Sequence, residues 1–292
     1  MQQSKITAVA KALQTKNTDL IVFTDIDGTF YKWQLLIDLV NWIAESFPEK
    51  SGITAPLRQA INDYHHQIAP FDKVIKLLLL AIPEVFAGIP KKRVVNIATN
   101  HIEVTFNRVY AFPRAVYQAA KDSGVIKPRV LVAVTGAPNE VAEPLCSKYG
   151  FDVVIGAHYK TDSRGLYTGK RDIDSGINKG KILDAIKKIA RINWSEAMAL
   201  GDSEADIPMF ERCGYSYAVN PNSHLLQYIR SNKSDLFMVR SGQKSQTQIF
   251  APDNKGRLIE RCATCCLPAD ISERFTSLPG MLLSSNCSCN FK

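Results

Sequence analysis

The sequence has no apolar run long enough to cross a bilayer. Its most apolar short stretch, Leu77-Leu78-Leu79-Leu80-Ala81-Ile82, is far too short, and the first residues, Met1 to Asp19, are polar and carry no apolar segment of the kind a secretory leader needs. Those early residues lack acids before Asp19, which faintly resembles a transit peptide, but they also lack arginine. We therefore expect a soluble, cytoplasmic protein. The net charge is +8, yet lysine and arginine are scattered rather than gathered in one block. That argues against a nucleic-acid partner, which calls for a clustered basic face. A diffuse positive field suits a small anionic substrate, an acidic membrane surface or simply a solvated surface. There are no internal repeats. With 46% hydrophobic residues over 292 positions, the chain can bury a full core without disulfide or metal staples.

What is present is a series of short apolar runs that end on polar residues. Leu20 to Thr24 is followed by Asp25, Val130 to Val134 by Thr135, and Ala197 to Gly201 by Asp202. Each reads as a buried strand of a parallel sheet. Val153 to Ile155, Tyr215 to Val219 and Leu236 to Val239 add further strands. Helical patterns lie between them, over Arg114 to Ser123, Asn139 to Tyr149 and Lys179 to Ala190, with Gly150 placed to end the second. Strands alternating with helices predict a doubly wound α/β sheet. In such sheets ligands bind beyond the carboxyl ends of the strands, so the three polar ends should converge.

The first two strands are separated by far more chain than a crossover needs. Residues 31–110 carry helical patterns over Gln34 to Ser46, Pro56 to Ile68, Phe71 to Ile82 and Lys92 to Tyr110. We read them as an inserted helical cap, with 1–30 and 111–240 forming the core. After about residue 240 the chain turns polar and leaves the α/β pattern. Residues 241–292 form a C-terminal extension.

The residues at the strand ends make a coherent chemistry. In Asp25-Ile26-Asp27-Gly28-Thr29, Asp25 can present a carboxylate at the strand end and Asp27 follows two residues on. Gly28 permits the turn. Two carboxylates so close repel, and a hard cation is expected between them. Asp202 and Asp206, in Gly201-Asp202-Ser203-Glu204-Ala205-Asp206, are spaced to complete an oxygen cage for magnesium. Asp202 or Ser203 can equally cap the next helix, and both roles can hold for different atoms. Thr135 and the Gly136 N–H can hold phosphate oxygens where a helix begins. Lys179 opens a helix and would neutralise both phosphate and Asp25. His65, His66 and His101 lie in the insertion, where structural roles are commoner. Trp33 can line a pocket or simply pack.

The order of these motifs resembles the haloacid dehalogenase superfamily of phosphatases. The placement of Lys179 23 residues before Asp202, together with the stretches Thr135 to Glu140, Tyr149 to Gly156, Gly201 to Met209 and Ala218 to Pro221, is similar to the phosphoserine-phosphatase-like subfamily. The resemblance covers roughly residues 20–240. It implies a Rossmann-like core with a helical cap and a Mg2+-dependent phosphatase acting through a phospho-aspartyl intermediate on a small phosphorylated metabolite or headgroup. Asp25 would be nucleophile and metal ligand, and Asp27 general acid/base with a metal-binding carbonyl. Thr135, Gly136 and Lys179 would bind phosphate, Asp202 would bind the metal and Asp206 would support its shell. A phosphotransferase with the same intermediate, or an idle scaffold binding a protein or membrane, are the alternatives. Two departures concern the substrate: Gln34 stands where many phosphoserine phosphatases have a Glu, and Ala205 where they often have Asn.

Five of the seven cysteines crowd the end of the chain. Cys262, Cys265 and Cys266 with Cys287 and Cys289 could bind zinc imperfectly, become acylated as a membrane tether, or stay free in an unstructured tail. Cys146 and Cys213 read as buried thiols.

Overall fold

The computed structural model describes residues 2–121, 128–232, 236–241, 247–253, 255–261, 266–268 and 271–272. In chain order the elements are α1 (Gln2–Thr15), β1 (Ile21–Thr24), α2 (Leu35–Ser46), α3 (Ser51–His65), α4 (Phe71–Phe86), α5 (Lys91–Thr105), α6 (Ala111–Lys121), β2 (Val130–Pro138), α7 (Asn139–Tyr149), β3 (Val153–Thr161) and β4 (Tyr167–Ile173). There follow α8 (Lys179–Ile189), β5 (Met198–Gly201), α9 (Ile207–Phe210), β6 (Tyr215–Val219), α10 (Ser223–Asn232), β7 (Leu236–Ser241), β8 (Thr247–Pro252) and β9 (Leu258–Arg261).

Among the described residues one nine-stranded sheet runs in the order β4-β3-β2-β1-β5-β6-β7-β8-β9. Its six central strands, β3 through β7 in that order, are parallel. The order reverses at β1, which has β2 on one side and β5 on the other. Thr135, expected to end its strand, lies within β2, which runs on to Pro138 past a register shift. Thr24 aligns with Ala133 and with Leu200, so Asp25 and Asp202 leave the sheet at the same end. This is the crevice that doubly wound sheets use for ligands.

Residues of β1 alternate between two cores. Val22 packs on one face with Leu131 and helices α2 to α7. Ile21 and Phe23 pack on the other with α1, α8 and α10. Both faces are covered, which is why β1 is apolar at Ile21, Val22 and Phe23 in succession rather than at alternate positions. α1 is not anticipated from the polar start of the chain. Ile6, Val9 and Leu13 form one face, spaced for a helix, and that face is buried against the second core.

The long connection from β1 to β2 holds α2, α3, α4 and α5 within residues 31–110 before α6 returns to the sheet. Two antiparallel additions escape the sequence pattern. β4 folds back on β3 through a turn where Asp162 Oδ1 accepts the N–H groups of Arg164 (2.9 Å) and Leu166 (3.0 Å). β8 and β9 extend the far edge from β7. The chain therefore leaves the parallel pattern after β7 but stays in the sheet, because an open strand edge offers unpaired N–H and C=O groups to whatever follows. Cys266 is buried; Cys262, Cys265, Cys287 and Cys289 lie outside the described residues. No helix among the described residues is long and apolar enough to cross a membrane.

Candidate active site

Asp25 is the first residue after β1, and its N–H donates to Leu200 O (2.9 Å), which ties it to β5. Its carboxylate is buried. Lys179, at the start of α8, donates through Nζ to Asp25 Oδ1 (2.5 Å) and also contacts Asp206 Oδ1. The ammonium is itself buried. Burial alone would lower its pKa, but Asp206 and Asp25 overcome that and raise it well above the ordinary lysine range. Lys179 is therefore a permanent cation.

Asp206 is held from its other side. Its Oδ2 accepts the N–H groups of Asp202 (3.0 Å) and Ser203 (3.1 Å) and the Ser203 hydroxyl (3.2 Å). Ser203 and Asp206 form a reciprocal capping box on the short 3-10 turn Glu204–Asp206. Of the two capping candidates the structure gives the part to Ser203, which leaves the Asp202 side chain free to turn inward. Thr29 Oγ1 lies between Asp25 Oδ2 (3.2 Å) and Asp202 Oδ1 (3.1 Å).

Asp25, Asp202 and Asp206 each place a carboxylate oxygen within 4.8 Å of the others. Three carboxylates face one ammonium, and the single Thr29 proton can serve only one of its two neighbours. Burial first, and then the neighbouring carboxylates, push Asp202 well above the usual carboxylate range. Burial likewise raises Asp25, opposed by Lys179. Such a deficit of positive charge fits a hard divalent cation held by oxygen ligands. The backbone makes room for the cluster. Gly28 has φ +79°, and a Cβ there would lie 2.2 Å from Asp202 Oδ2. A Cβ on Gly201 would lie 2.4 Å from Asp206 Cβ.

Asp27 sits one step outward. Its Oδ1 accepts the Leu35 N–H (2.7 Å) at the start of α2, capping that helix in place of the Gln34 side chain, which makes no cap bond. Burial, then the Asp25 charge, push the Asp27 carboxyl up to about 8. An acid poised near neutral pH can both give and take a proton.

On β2, Thr135 Oγ1 accepts the Ala137 N–H (3.0 Å), which leaves the hydroxyl proton to donate elsewhere. Ser175 donates its hydroxyl to Thr135 O and fixes the strand end. Gly136 passes close to Gly176, 3.7 Å from a notional Cβ to Gly176 Cα. Thr29 and Ser175 are supports that sequence reading missed, whereas Ser203 takes the capping role it was a candidate for. Thr29 stands inside the Asp25 motif and Ser203 inside the Asp202 motif; Ser175 carried no signal because the contact joins residues 40 apart in a loop.

The three histidines of the insertion have other partners. His65 packs on Trp33 (5.0 Å between ring centroids), His101 stacks on Trp42 (4.7 Å), and His66 Nδ1 is 2.8 Å from Asn62 O. Trp33 also meets Tyr64 and Phe71. A cleft of about 650 Å3 opens beside it, lined among others by Asp38, Asn41, His65 and Arg108. Asp38 is tied to the Tyr31 hydroxyl (2.7 Å).

A doubly wound α/β sheet with a carboxylate–lysine cluster at its switch point defines the class of protein. The chain matches the haloacid dehalogenase-like hydrolase family over residues 22–211, and it belongs to that family. It is 31% identical over 97 residues to an "Inhibition of morphological differentiation protein" of Streptomyces azureus, covering 33% of this chain and 34% of the relative. It is 22% identical over 145 residues to a putative hydrolase of Mycobacterium leprae, covering 49% and 47%. The chain thus spans less than half the length of these curated relatives. Among solved structures, a protein of unknown function from Bordetella pertussis Tohama I shares the fold with a TM-score of 0.57, at 14% identity, over 75% of this chain and 98% of that one.

Proposed function

We propose that this hydrolase is a phosphatase that cleaves small phosphomonoesters through a phospho-aspartyl intermediate. The observation that carries the reading is the buried contact of Asp25 with Lys179 at the switch point, with Asp202 and Asp206 completing an anionic cluster. Asp25 and Asp202, with the Asp27 carbonyl, would hold Mg2+, and Asp206 would support them. When bound, the metal supplies a Lewis acid that withdraws charge from the phosphoryl oxygens.

The protein's own groups do the rest. Lys179 and the Thr135 hydroxyl, with the Gly136 N–H, hold the phosphoryl oxygens. An Asp25 oxygen forms a bond to phosphorus as the ester oxygen departs, and Asp27 gives that oxygen its proton. Asp27, now a carboxylate, takes a proton from water. The water oxygen bonds to phosphorus, the Asp25–phosphorus bond breaks, and inorganic phosphate leaves. Residues 31–110 act as a cap that shields this chemistry from bulk water.

The test is release of inorganic phosphate from para-nitrophenyl phosphate with Mg2+. Absence of turnover across a panel of aryl, sugar and amino-acid phosphates would overturn the reading. So would turnover that persists undiminished in a folded Asp25→Asn protein.

A further inference from the structure

The ladder between β6 and β7 is finished by a side chain. Val219 pairs with Val239, and Asn220 N donates to Val239 O (2.8 Å). The next residue, Pro221, has no N–H with which to continue. The Asn220 amide takes its place. Its Oδ1 accepts the Ser241 N–H (3.0 Å) and its Nδ2 donates to Ser241 O (3.0 Å). Ser241 is buried, and its hydroxyl accepts the Phe112 N–H (3.0 Å), so the amide closes onto a fixed point.

The main chain at Asn220 is left-handed, with φ +46°. Asparagine adopts this region more readily than other side chains do. The bend carries the chain back over the end of β5, where Asn222 N donates to Asp202 O (2.9 Å). The exposed Asn222 side chain has separate tasks: its Oδ1 accepts the Leu225 N–H (2.8 Å) at the start of α10, and its Nδ2 donates to Glu204 Oε2 (2.8 Å).

Asp202 needs such a tie. Its other two bonds, from its N–H to Asp206 Oδ2 and from Thr29 Oγ1 to its Oδ1, lead to groups that themselves touch the anionic cluster. Three carboxylates whose oxygens lie within 4.8 Å of one another repel. The Asn222 bond anchors the Asp202 peptide to a part of the fold outside that cluster.

We propose that Asn220 is a positioning residue for Asp202: locked on Ser241, it sets the bend that delivers the Asn222 N–H to the Asp202 carbonyl, and so holds the Asp202 carboxylate where it can bind a divalent cation. The inference rests on the reading of Asp202 as a metal ligand. Groups that orient a ligand without touching the metal change affinity for it by about 10–100-fold when they are lost.

Three variants separate positioning from plain support of the fold. Asn220→Gly keeps the left-handed backbone accessible and loses the amide. Asn222→Ala loses the α10 cap and the Glu204 bond but keeps the N–H. Asn222→Pro loses the N–H as well. The readout is the Mg2+ concentration that half-saturates the rise in melting temperature, measured without substrate. Asn220→Gly and Asn222→Pro should raise it about tenfold or more, and Asn222→Ala should stay within about twofold of the parent. A lowered melting temperature with an unchanged half-saturating concentration in Asn220→Gly would reduce Asn220 to a support of the fold and overturn the proposal. So would an equal rise in Val239→Ala, which weakens β7 without touching the bend. Amide exchange in the parent needs no variant: the Asn222 N–H should exchange at least about a hundredfold more slowly than an unprotected amide, and unprotected exchange would overturn the proposal. A parent whose melting temperature ignores Mg2+ would overturn it together with the ligand role of Asp202. The expected Mg2+ shifts in a protein that hydrolyses no phosphate ester would keep the positioning role and bring down the phosphatase reading.

Discussion

Gly28 and Asp202 meet so closely that a Cβ on Gly28 would lie 2.2 Å from Asp202 Oδ2. The loop after β1 and the loop after β5 are fitted to each other here, and Gly28 also holds a positive φ of 79°. Gly28→Ala should therefore cost twice, through a left-handed backbone worth about 1–2 kcal/mol and through displacement of Asp202. We expect kcat/KM to fall at least about a hundredfold, with a melting temperature lowered by several degrees. Wild-type activity in this variant would show that Asp202 does not need its place.

Asp25→Asn should abolish turnover, by about a thousandfold or more, without unfolding the protein. The substitution keeps the shape and removes one of three crowded carboxylates, so thermal stability should hold or rise. Mass spectrometry after a brief reaction should find phosphate on the Asp25 peptide of the wild type and none in the variant. Phosphate on another residue would move the nucleophile elsewhere.

Chelation should inactivate the enzyme and Mg2+ should restore it, whereas Ca2+, which favours longer contacts and higher coordination, should substitute poorly. Mg2+ should also raise the melting temperature, since a cation that binds only the folded site stabilises it by mass action. Asp202→Asn should abolish most of that rise. A full rise in the variant would exclude Asp202 as a ligand.

The metal-free protein should lose stability as pH rises. Asp27 has a folded pKa near 8, raised by burial and by Asp25. A carboxyl that binds its proton more tightly when folded favours the fold fully below its unfolded pKa, near 4. That contribution is lost as pH climbs through the folded value. Urea denaturation in EDTA should therefore show falling stability between pH 5 and 8, and Asp27→Asn should flatten the slope. Stability that climbs over this range would contradict the raised pKa.

Phosphoserine should not be the preferred substrate. Gln34, at the start of α2, is neutral. A charge-assisted contact to a substrate ammonium is worth about 1.5–3 kcal/mol, against about 0.5–1.5 for a neutral one. The difference amounts to roughly a tenfold preference forgone. Comparison of kcat/KM for phosphoserine with choline, ethanolamine, sugar and aryl phosphates decides the matter. A tenfold lead for phosphoserine would mean that another side chain supplies the charge.

The sequence by itself determined the central sheet and the residues that end its strands. β1 from Ile21 to Phe23 and β5 throughout lack polar side chains because both faces are buried, and the two strands give way to Asp25 and Asp202 at the end where the site lies. These signals are local, one strand or one turn long, and so are legible in one dimension. Tertiary structure alone decided the contacts between distant residues. Nothing near Glu140 in the chain marks it as the partner of Lys91, and nothing near Thr135 marks Ser175 as its support. The β3–β4 hairpin and the strands β8 and β9 owe their form to edges that become available only once the parallel sheet exists. α1 was written in the spacing of Ile6, Val9 and Leu13, yet only the second core gives that face something to bury against. Lys179 shows the division most plainly: its position at a helix start is visible in the sequence, whereas its burial between Asp25 and Asp206 comes from three segments that meet only in the fold.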